Sequence, residues 1–320
     1  MKVINHYDAT SVSDAVAMLD KYGSAAAVIG GGTDLTHQLK GFIRADLPDY
    51  LINLKTIPGL NAISSDASGV LHVGSLATLA SIANNSTVLA TWPMLAAAAS
   101  EVATPNIRNI GTIGGNISQE VWCWYYRWEG NMFPCLRKGG GTCYAVSGLN
   151  QFHSVFGGPL GCYSVAASDT AIALLALGAS VVTSAQTIPI NKFFYALAPG
   201  TVLKPDEIIT EIDVPTPPTG NKQVFIKQQV RKNFDFALTS VGLMAAPASG
   251  TVTTANIWLG GVAPTPIEAT GAETALKGNA ISATVAANAG AAAIANAVPL
   301  ADNHYKTNII SALVSKAILT

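Results

Sequence analysis

All four cysteines of this 320-residue chain fall within one stretch of 40 residues: Cys123, Cys135, Cys143 and Cys162, spaced C-x11-C-x7-C-x18-C. Four thiols so confined are expected to meet in space rather than scatter through the core. No C-x2-C knuckle occurs, which argues against most structural zinc sites, and the spacing departs from both ferredoxin patterns. A four-thiolate zinc site stays open beside an iron–sulfur cluster. The N-terminal MKVINHYDAT lacks the apolar core of a secretory signal, so the expected compartment is the cytoplasm. In that compartment cysteines point to metal or redox chemistry rather than to disulfides. Trp122, Trp124, Tyr125, Tyr126 and Trp128 flank the first cysteine. They either exclude water around a cluster, which tunes its potential, or form a small core of their own.

This cysteine segment, residues 119–163, reads as an insertion, because apolar helical periodicity resumes only at Thr170–Leu175. Ahead of it, Ser11 caps a helix that ends at Gly23. The apolar run Ala25–Ile29 reads as a strand, and Gly30-Gly31-Gly32-Thr33-Asp34-Leu35 then opens a helix. Three glycines between strand and helix let backbone N–H groups approach an anion, helped by the helix dipole. That suits a pyrophosphate cradle, although an ordinary strand–helix turn fits the same residues. The loop is neither G-x-G-x-x-G nor a P-loop. Leu51–Leu54 and Val70–Val73 read as further strands, and Pro93–Val102 as a helix with proline in its first turn. Ala103–Ile117 is a polar, glycine-rich stretch without helical period. Within it, Thr104–Ile117 offers backbone donors, hydroxyls and amides suited to a flavin ring and a ribityl phosphate. The two glycine loops lie about 80 residues apart. Ala167-Ser168-Asp169 precedes a helix, so Ser168 or Asp169 is either a cap or, for Asp169, a partner of ligand hydroxyls.

The prolines of Val214–Gly220 mark a linker. Beyond it, Gln223–Val230, Ala237–Ala246 and Thr253–Leu259 alternate as an antiparallel sheet, with helices near Glu268–Leu276 and Ala283–Ala297. Hydrophobic residues make up 49% of the chain and charged residues 12%, with mean hydropathy +0.36. The most apolar stretches are alanine-rich and interrupted by Asp169, Ser282, Asn288 and Asn296, so no membrane span is expected. Low charge is better explained by permanent interfaces with partner subunits. A net charge of −1 gives no electrostatic footprint for nucleic acid.

Together VIGGGTDL, NIGTIGGNIS, ASD before a helix and the C-terminal GGVAPTPIEATGAE resemble the FAD-binding medium subunit of the xanthine dehydrogenase (molybdenum hydroxylase) family, over essentially the whole chain. The cysteine insertion resembles that of members with an extra 4Fe-4S cluster, such as 4-hydroxybenzoyl-CoA reductase and bacterial aldehyde oxidoreductases. The resemblance implies an α+β fold: a two-subdomain FAD-binding fold of the vanillyl-alcohol-oxidase/PCMH type plus a C-terminal α+β domain like that of CO dehydrogenase flavoprotein. Its parts would be subdomain 1 (1–60), subdomain 2 (61–214, with the insertion 119–163) and the C-terminal domain (221–320).

By the same resemblance, Ile29, Gly30, Gly31, Gly32, Thr33, Asp34 and Leu35 would wrap the FAD pyrophosphate. Asn106, Thr112, Gly114, Gly115 and Asn116 would hold the flavin half, Asp169 would meet ribityl hydroxyls, and Lys227 would lie near the flavin. Cys123, Cys135, Cys143 and Cys162 would bind the 4Fe-4S cluster. Ala167 and Glu268 stand where the family usually has Pro and Arg. The implied activity is electron relay as an oxidoreductase subunit. A large partner would carry molybdopterin, a small partner 2Fe-2S clusters, and ferredoxin or NAD would be the external carrier, in a dimer of heterotrimers. Two other readings stay open on the residues alone: a self-contained flavin oxidase of the vanillyl-alcohol-oxidase type, and a zinc-stabilised interaction subunit.

Overall fold

The short apolar runs of this chain, punctuated by glycine and proline, build three sheets. The structure is a computed structural model that describes residues 3–320; the first two residues of the N-terminal stretch lie outside it. The first sheet is parallel, with strand order β1-β3-β2, from β1 (Asn5–Asp8), β2 (Ala26–Ile29) and β3 (Tyr50–Asn53). Its crossover α1 (Val12–Tyr22) starts where Ser11 Oγ accepts a hydrogen bond from Asp14 N at 3.1 Å, and stops at Gly23, whose φ is +53°. Ala15 and Leu19 of α1 pack on Ile52 and Leu54. A second helix, α2 (Leu35–Gly41), follows the first glycine loop.

The second sheet is antiparallel, in the order β4-β5-β8-β6-β7: β4 (Ile63–Ser65), β5 (Leu71–Gly74), β6 (Ser180–Thr183), β7 (Thr187–Pro189) and β8 (Ile209–Val214). Between β5 and β6 run α3 (Leu79–Asn84), α4 (Ser86–Thr91), α5 (Pro93–Ser100), the cysteine insertion and α9 (Asp169–Leu177). Every residue of α9 is buried, because one side meets the second sheet's core and the other the third sheet. A Cβ at Gly242 would come within 2.9 Å of the Ile172 carbonyl, so that strand lies directly on the helix.

The expectation of a helix-free Ala103–Ile117 is corrected. The stretch contains two single turns, α6 (Pro105–Arg108) and α7 (Ile113–Ile117). Pro105 presets the first, and the Thr112 hydroxyl accepts from Gly115 N at 3.3 Å in the second. Helices this short leave no 3.6-residue period to read. A further turn, α8 (Trp124–Arg127), sits in the insertion.

The third sheet, order β12-β11-β10-β9, is antiparallel: β9 (Lys222–Gln228), β10 (Thr239–Ala246), β11 (Thr254–Gly260) and β12 (Ile267–Glu268). It is backed by α10 (Thr270–Leu276), α11 (Ala283–Ala292) and α12 (Tyr305–Leu319). The helix expected to reach Ala297 thus ends at Ala292, and α12, the longest helix, was not anticipated. The proline linker is tied down, since Trp92 Nε1 donates to the Pro215 carbonyl at 2.9 Å. Among the described residues no helix is long and apolar enough to cross a membrane.

On the outer face of the second sheet, His72 of β5 is ringed by carboxylates. Its Nδ1 lies 2.8 Å from Asp213 and 3.0 Å from Glu211, and its Nε2 lies 3.4 Å from Asp66. Partial burial opposes protonation, but hydrogen bonds that the ring donates to Asp213, Asp66 and Glu211 outweigh it and raise His72 above its usual 6.5. A raised folded-state value means that this stabilisation is complete below pH 6.5 and is lost as pH rises through the folded value. His72→Gln should therefore lower Tm below pH 6.5 and flatten its decline above that pH, measured by thermal melts in a buffer series.

Candidate functional site

Strand β2 delivers Gly30–Gly32 to the edge of a cleft of about 780 Å3. The second glycine loop forms the facing wall. The two loops touch, since a Cβ on Gly31 would collide with the Ile110 carbonyl; Gly114 packs instead just after β5, where its Cβ would sit 2.9 Å from the Ser75 carbonyl. Gly31 is thus required for loop-on-loop packing, and the space its missing side chain opens is filled by protein. Ile29, Gly30, Gly31, Gly32, Thr33, Asp34, Leu35, Thr112, Gly114, Gly115, Asn116, Asp169 and Lys227 all line this one cleft. Asn106 does not. It lies exposed on α6, and Ile107 takes the place on the wall.

The side chains expected to face a ligand are largely committed to one another. Asp34 accepts from Arg127 Nη1 (2.6 Å), from the backbone N–H of Glu120 (2.9 Å) and from Gln38 Nε2 (3.0 Å). Arg127 also donates to the carbonyls of Glu120 and Val121. Asp169 is fully buried; burial raises its carboxyl against the Lys227 ammonium 2.7 Å away. Lys227 donates as well to the Glu101 carbonyl at 2.9 Å. Ser168, not Asp169, caps α9, accepting from Ala171 N at 3.1 Å. Asn116 Oδ1 takes hydroxyl hydrogen bonds from Ser168 and Thr170, both at 2.6 Å. What faces the cleft is mainly backbone and apolar surface, with charge held just behind it.

The cysteines converge. Cys123, Cys135, Cys143 and Cys162 line a second, smaller cavity together with Tyr125, Tyr126, Tyr144 and Ser164. All four are unpaired as disulfides, and only Cys143 is partly exposed. The turn from Cys135 to Cys143 needs its glycines: Gly139 has φ +85°, and a Cβ on Gly140 would strike the Pro134 carbonyl. Tyr125, Phe133, Tyr144 and Trp124 pack edge-on or stacked around the site. Burial pushes the Cys123 thiol up to about 12, so a bound metal would have to displace its proton. Two groups escaped the sequence reading. His153, which burial and then Lys306 lower to about 4, places Nε2 3.2 Å from Cys123 Sγ. The buried Lys138 Nζ has no hydrogen-bond partner and lies 5.5 Å from the Tyr126 ring. Neighbouring residues line the two cavities. Trp122 lines the larger and Cys123 the smaller, and the segment bridges to Val165.

Residues 2–217 match the family described as FAD binding domain in molybdopterin dehydrogenase, and residues 225–320 match the CO dehydrogenase flavoprotein C-terminal domain. The chain belongs to the FAD-binding subunits of the molybdenum hydroxylases. It is 30% identical over 315 residues to the aldehyde oxidoreductase FAD-binding subunit PaoB of Escherichia coli, covering 94% of this chain and 92% of that one. It is 28% identical over 312 residues to the carbon monoxide dehydrogenase medium chain of Afipia carboxidovorans, covering 96% and 93%. The carbon monoxide dehydrogenase structure from Hydrogenophaga pseudoflava superposes with TM-score 0.79 at 28% identity, over 99% of this chain and 96% of that chain. As an FAD-binding subunit of this family, the protein is a component of an oxidoreductase complex and has the family's α+β fold.

Gly31→Val should drive the first loop off the Ile110 carbonyl and abolish FAD retention, read as loss of flavin absorbance in the purified protein. Gly141→Ala, at a glycine outside the left-handed region with nothing within 4 Å of its added Cβ, should keep the flavin.

Proposed function

We propose that this subunit holds FAD in the cleft between its two glycine loops and a 4Fe-4S cluster among Cys123, Cys135, Cys143 and Cys162, and relays electrons between them. Ile29–Leu35 would border the pyrophosphate; Thr112, Gly114, Gly115 and Asn116 would border the flavin half; Asp169 and Lys227 would fix the wall behind it. When bound, FAD exchanges electrons singly or in pairs and the cluster exchanges one at a time, which is the chemistry a relay needs. The observation that carries the reading is that consecutive residues line the two cavities. Trp122 and Cys123, adjacent in sequence, line the two cavities, so no long path separates the sites.

The donor set supports a cluster over a single ion. A tetrahedral zinc ion with Zn–S of about 2.3 Å holds its sulfurs about 3.8 Å apart. Cys123, Cys135, Cys143 and Cys162 stand around a cavity whose lining they share with Tyr125, Tyr126, Tyr144 and Ser164. A bulky cube spans wider-set thiolates. The buried, unpartnered Lys138 cation beside Cys135 also suits an anionic thiolate-bound group.

The chain's share of the work is to bind, orient and dry both groups, with substrate chemistry on a molybdopterin-bearing large partner and 2Fe-2S conduction on a small one. The external carrier would be ferredoxin or NAD, the assembly a dimer of heterotrimers, and the compartment the cytoplasm. The low charged fraction of 12% supports extensive partner interfaces. A native pull-down should recover both partners; a chain that is catalytically complete alone would refute this. Anaerobically purified protein should contain about four irons per chain. Cys135→Ser should lose that iron while retaining FAD. Stoichiometric zinc without iron would end the relay reading and leave a structural site.

A further inference from the structure

Two of the four cysteine sulfurs have a buried hydrogen-bonding side chain beside them. His153 Nε2 lies 3.2 Å from Cys123 Sγ, and Ser164 Oγ lies 3.1 Å from Cys162 Sγ. Both residues are only 2% exposed, so water does not compete for either contact. We propose that His153, and with it Ser164, donates a hydrogen bond to a ligating sulfur and thereby raises the reduction potential of the iron–sulfur group those cysteines hold. This rests on the cluster reading given above.

The direction of donation follows from the surroundings. A thiolate bound to iron has no proton, so only the hydroxyl of Ser164 and an N–H of His153 can donate. The other ring nitrogen, Nδ1, is buried without a partner. A proton placed there would be stranded, whereas on Nε2 it meets sulfur. The lower-cost tautomer therefore points its N–H at Cys123.

The imidazole is also held in place. Its ring packs against Trp124 (5.6 Å) and Tyr125 (5.8 Å). Its backbone N–H donates to Asn150 O at 2.9 Å. Its carbonyl accepts from Lys306 Nζ at 3.0 Å and from Asn303 Nδ2 at 3.2 Å. A ring so constrained is a preset donor, with no reorganisation on electron arrival.

The electrochemical consequence is direct. Reduction adds one electron and one unit of negative charge to the thiolate-bound group, with no bond made or broken. A fixed donor stabilises that extra charge more than the oxidised state, most strongly where water is excluded. Hydrogen bonds to the sulfurs are among the factors that set cluster potentials. His153 is not needed as a ligand, because four thiolates already complete the coordination.

The test is an EPR-monitored redox titration, with iron analysis, of the anaerobically purified complex carrying His153→Leu, His153→Gln or Ser164→Ala. Full iron is expected in each. In His153→Leu the reduced-to-oxidised ratio at fixed poise should fall about tenfold, which is about 59 mV for a one-electron couple. His153→Gln, which keeps an N–H donor, should recover part of the loss, and Ser164→Ala should shift the same way by less. Should His153→Leu fail to assemble, Ser164→Ala decides. Full iron with an unchanged potential in every assembled variant overturns the inference while leaving the cluster in place. Absence of iron from the wild-type protein removes the cluster reading itself, and this inference with it.

Discussion

The carboxylate of Asp34 joins the two halves of the site. It belongs to the first glycine loop, yet its three hydrogen bonds run to α2, to the backbone entering the cysteine insertion and to the guanidinium of Arg127. Arg127 in turn sits one helical turn after Cys123 and donates its backbone N–H to the Cys123 carbonyl at 2.9 Å. Behind this clamp, Glu120 pairs with Arg137 at 2.9 Å and more loosely with Arg44 at 3.5 Å. Burying such charges is costly, and their mutual attraction does little more than repay the desolvation. What the network specifies is position. The insertion cannot drift from the glycine loop without stranding the guanidinium of Arg127, whose side chain is only 7% exposed.

A second buried pair does the same for the C-terminal domain. Lys227 leaves β9 to meet Asp169 at the start of α9 and Glu101 at the end of α5. Part of the chain's small complement of charge, including Glu120, Arg127, Arg137 and Asp169, is therefore spent inside. Its exposed apolar groups concentrate on the insertion: Trp128, Met132, Val146, Leu149 and Leu160 are each more than half exposed. At the surface, the low charged fraction shows as an apolar face on the insertion.

Local signals were legible where the chain uses local physics. Ser11 and Gly23 bound α1, Gly30–Gly32 separate β2 from α2, and Thr170–Leu175 mark α9. The clustering of the cysteines anticipated their convergence. Missing were contacts between residues far apart in sequence: Gly31 on Ile110, Asp34 with Arg127, Asp169 with Lys227, His153 on Cys123. Nothing near Asp34 announces a guanidinium 93 positions away. The family resemblance puts Asn106 beside the flavin half, but on the turn that Pro105 starts it lies exposed. Strand β1 (Asn5–Asp8) is polar and almost wholly exposed, so hydrophobic patterning is blind to it. Helix α12 is a different kind of miss. Ile309-Ile310, Leu313-Val314 and Ala317-Ile318 recur every four residues and were there to be read.

The attachment of α12 has a consequence for biosynthesis. Lys306 is fully buried, with its Nζ on the carbonyls of Phe152, His153 and Gly261, while Asn303 holds those of His153 and Ser154. The segment between the third and fourth cysteines is thus anchored by residues translated about 150 positions later. On a growing polypeptide all four thiols emerge from the ribosome well before that anchor exists. The pocket around the four cysteines therefore closes only once the residues near Lys306 have been made, and a nascent chain stalled before α12 would present its cysteines open to oxidation.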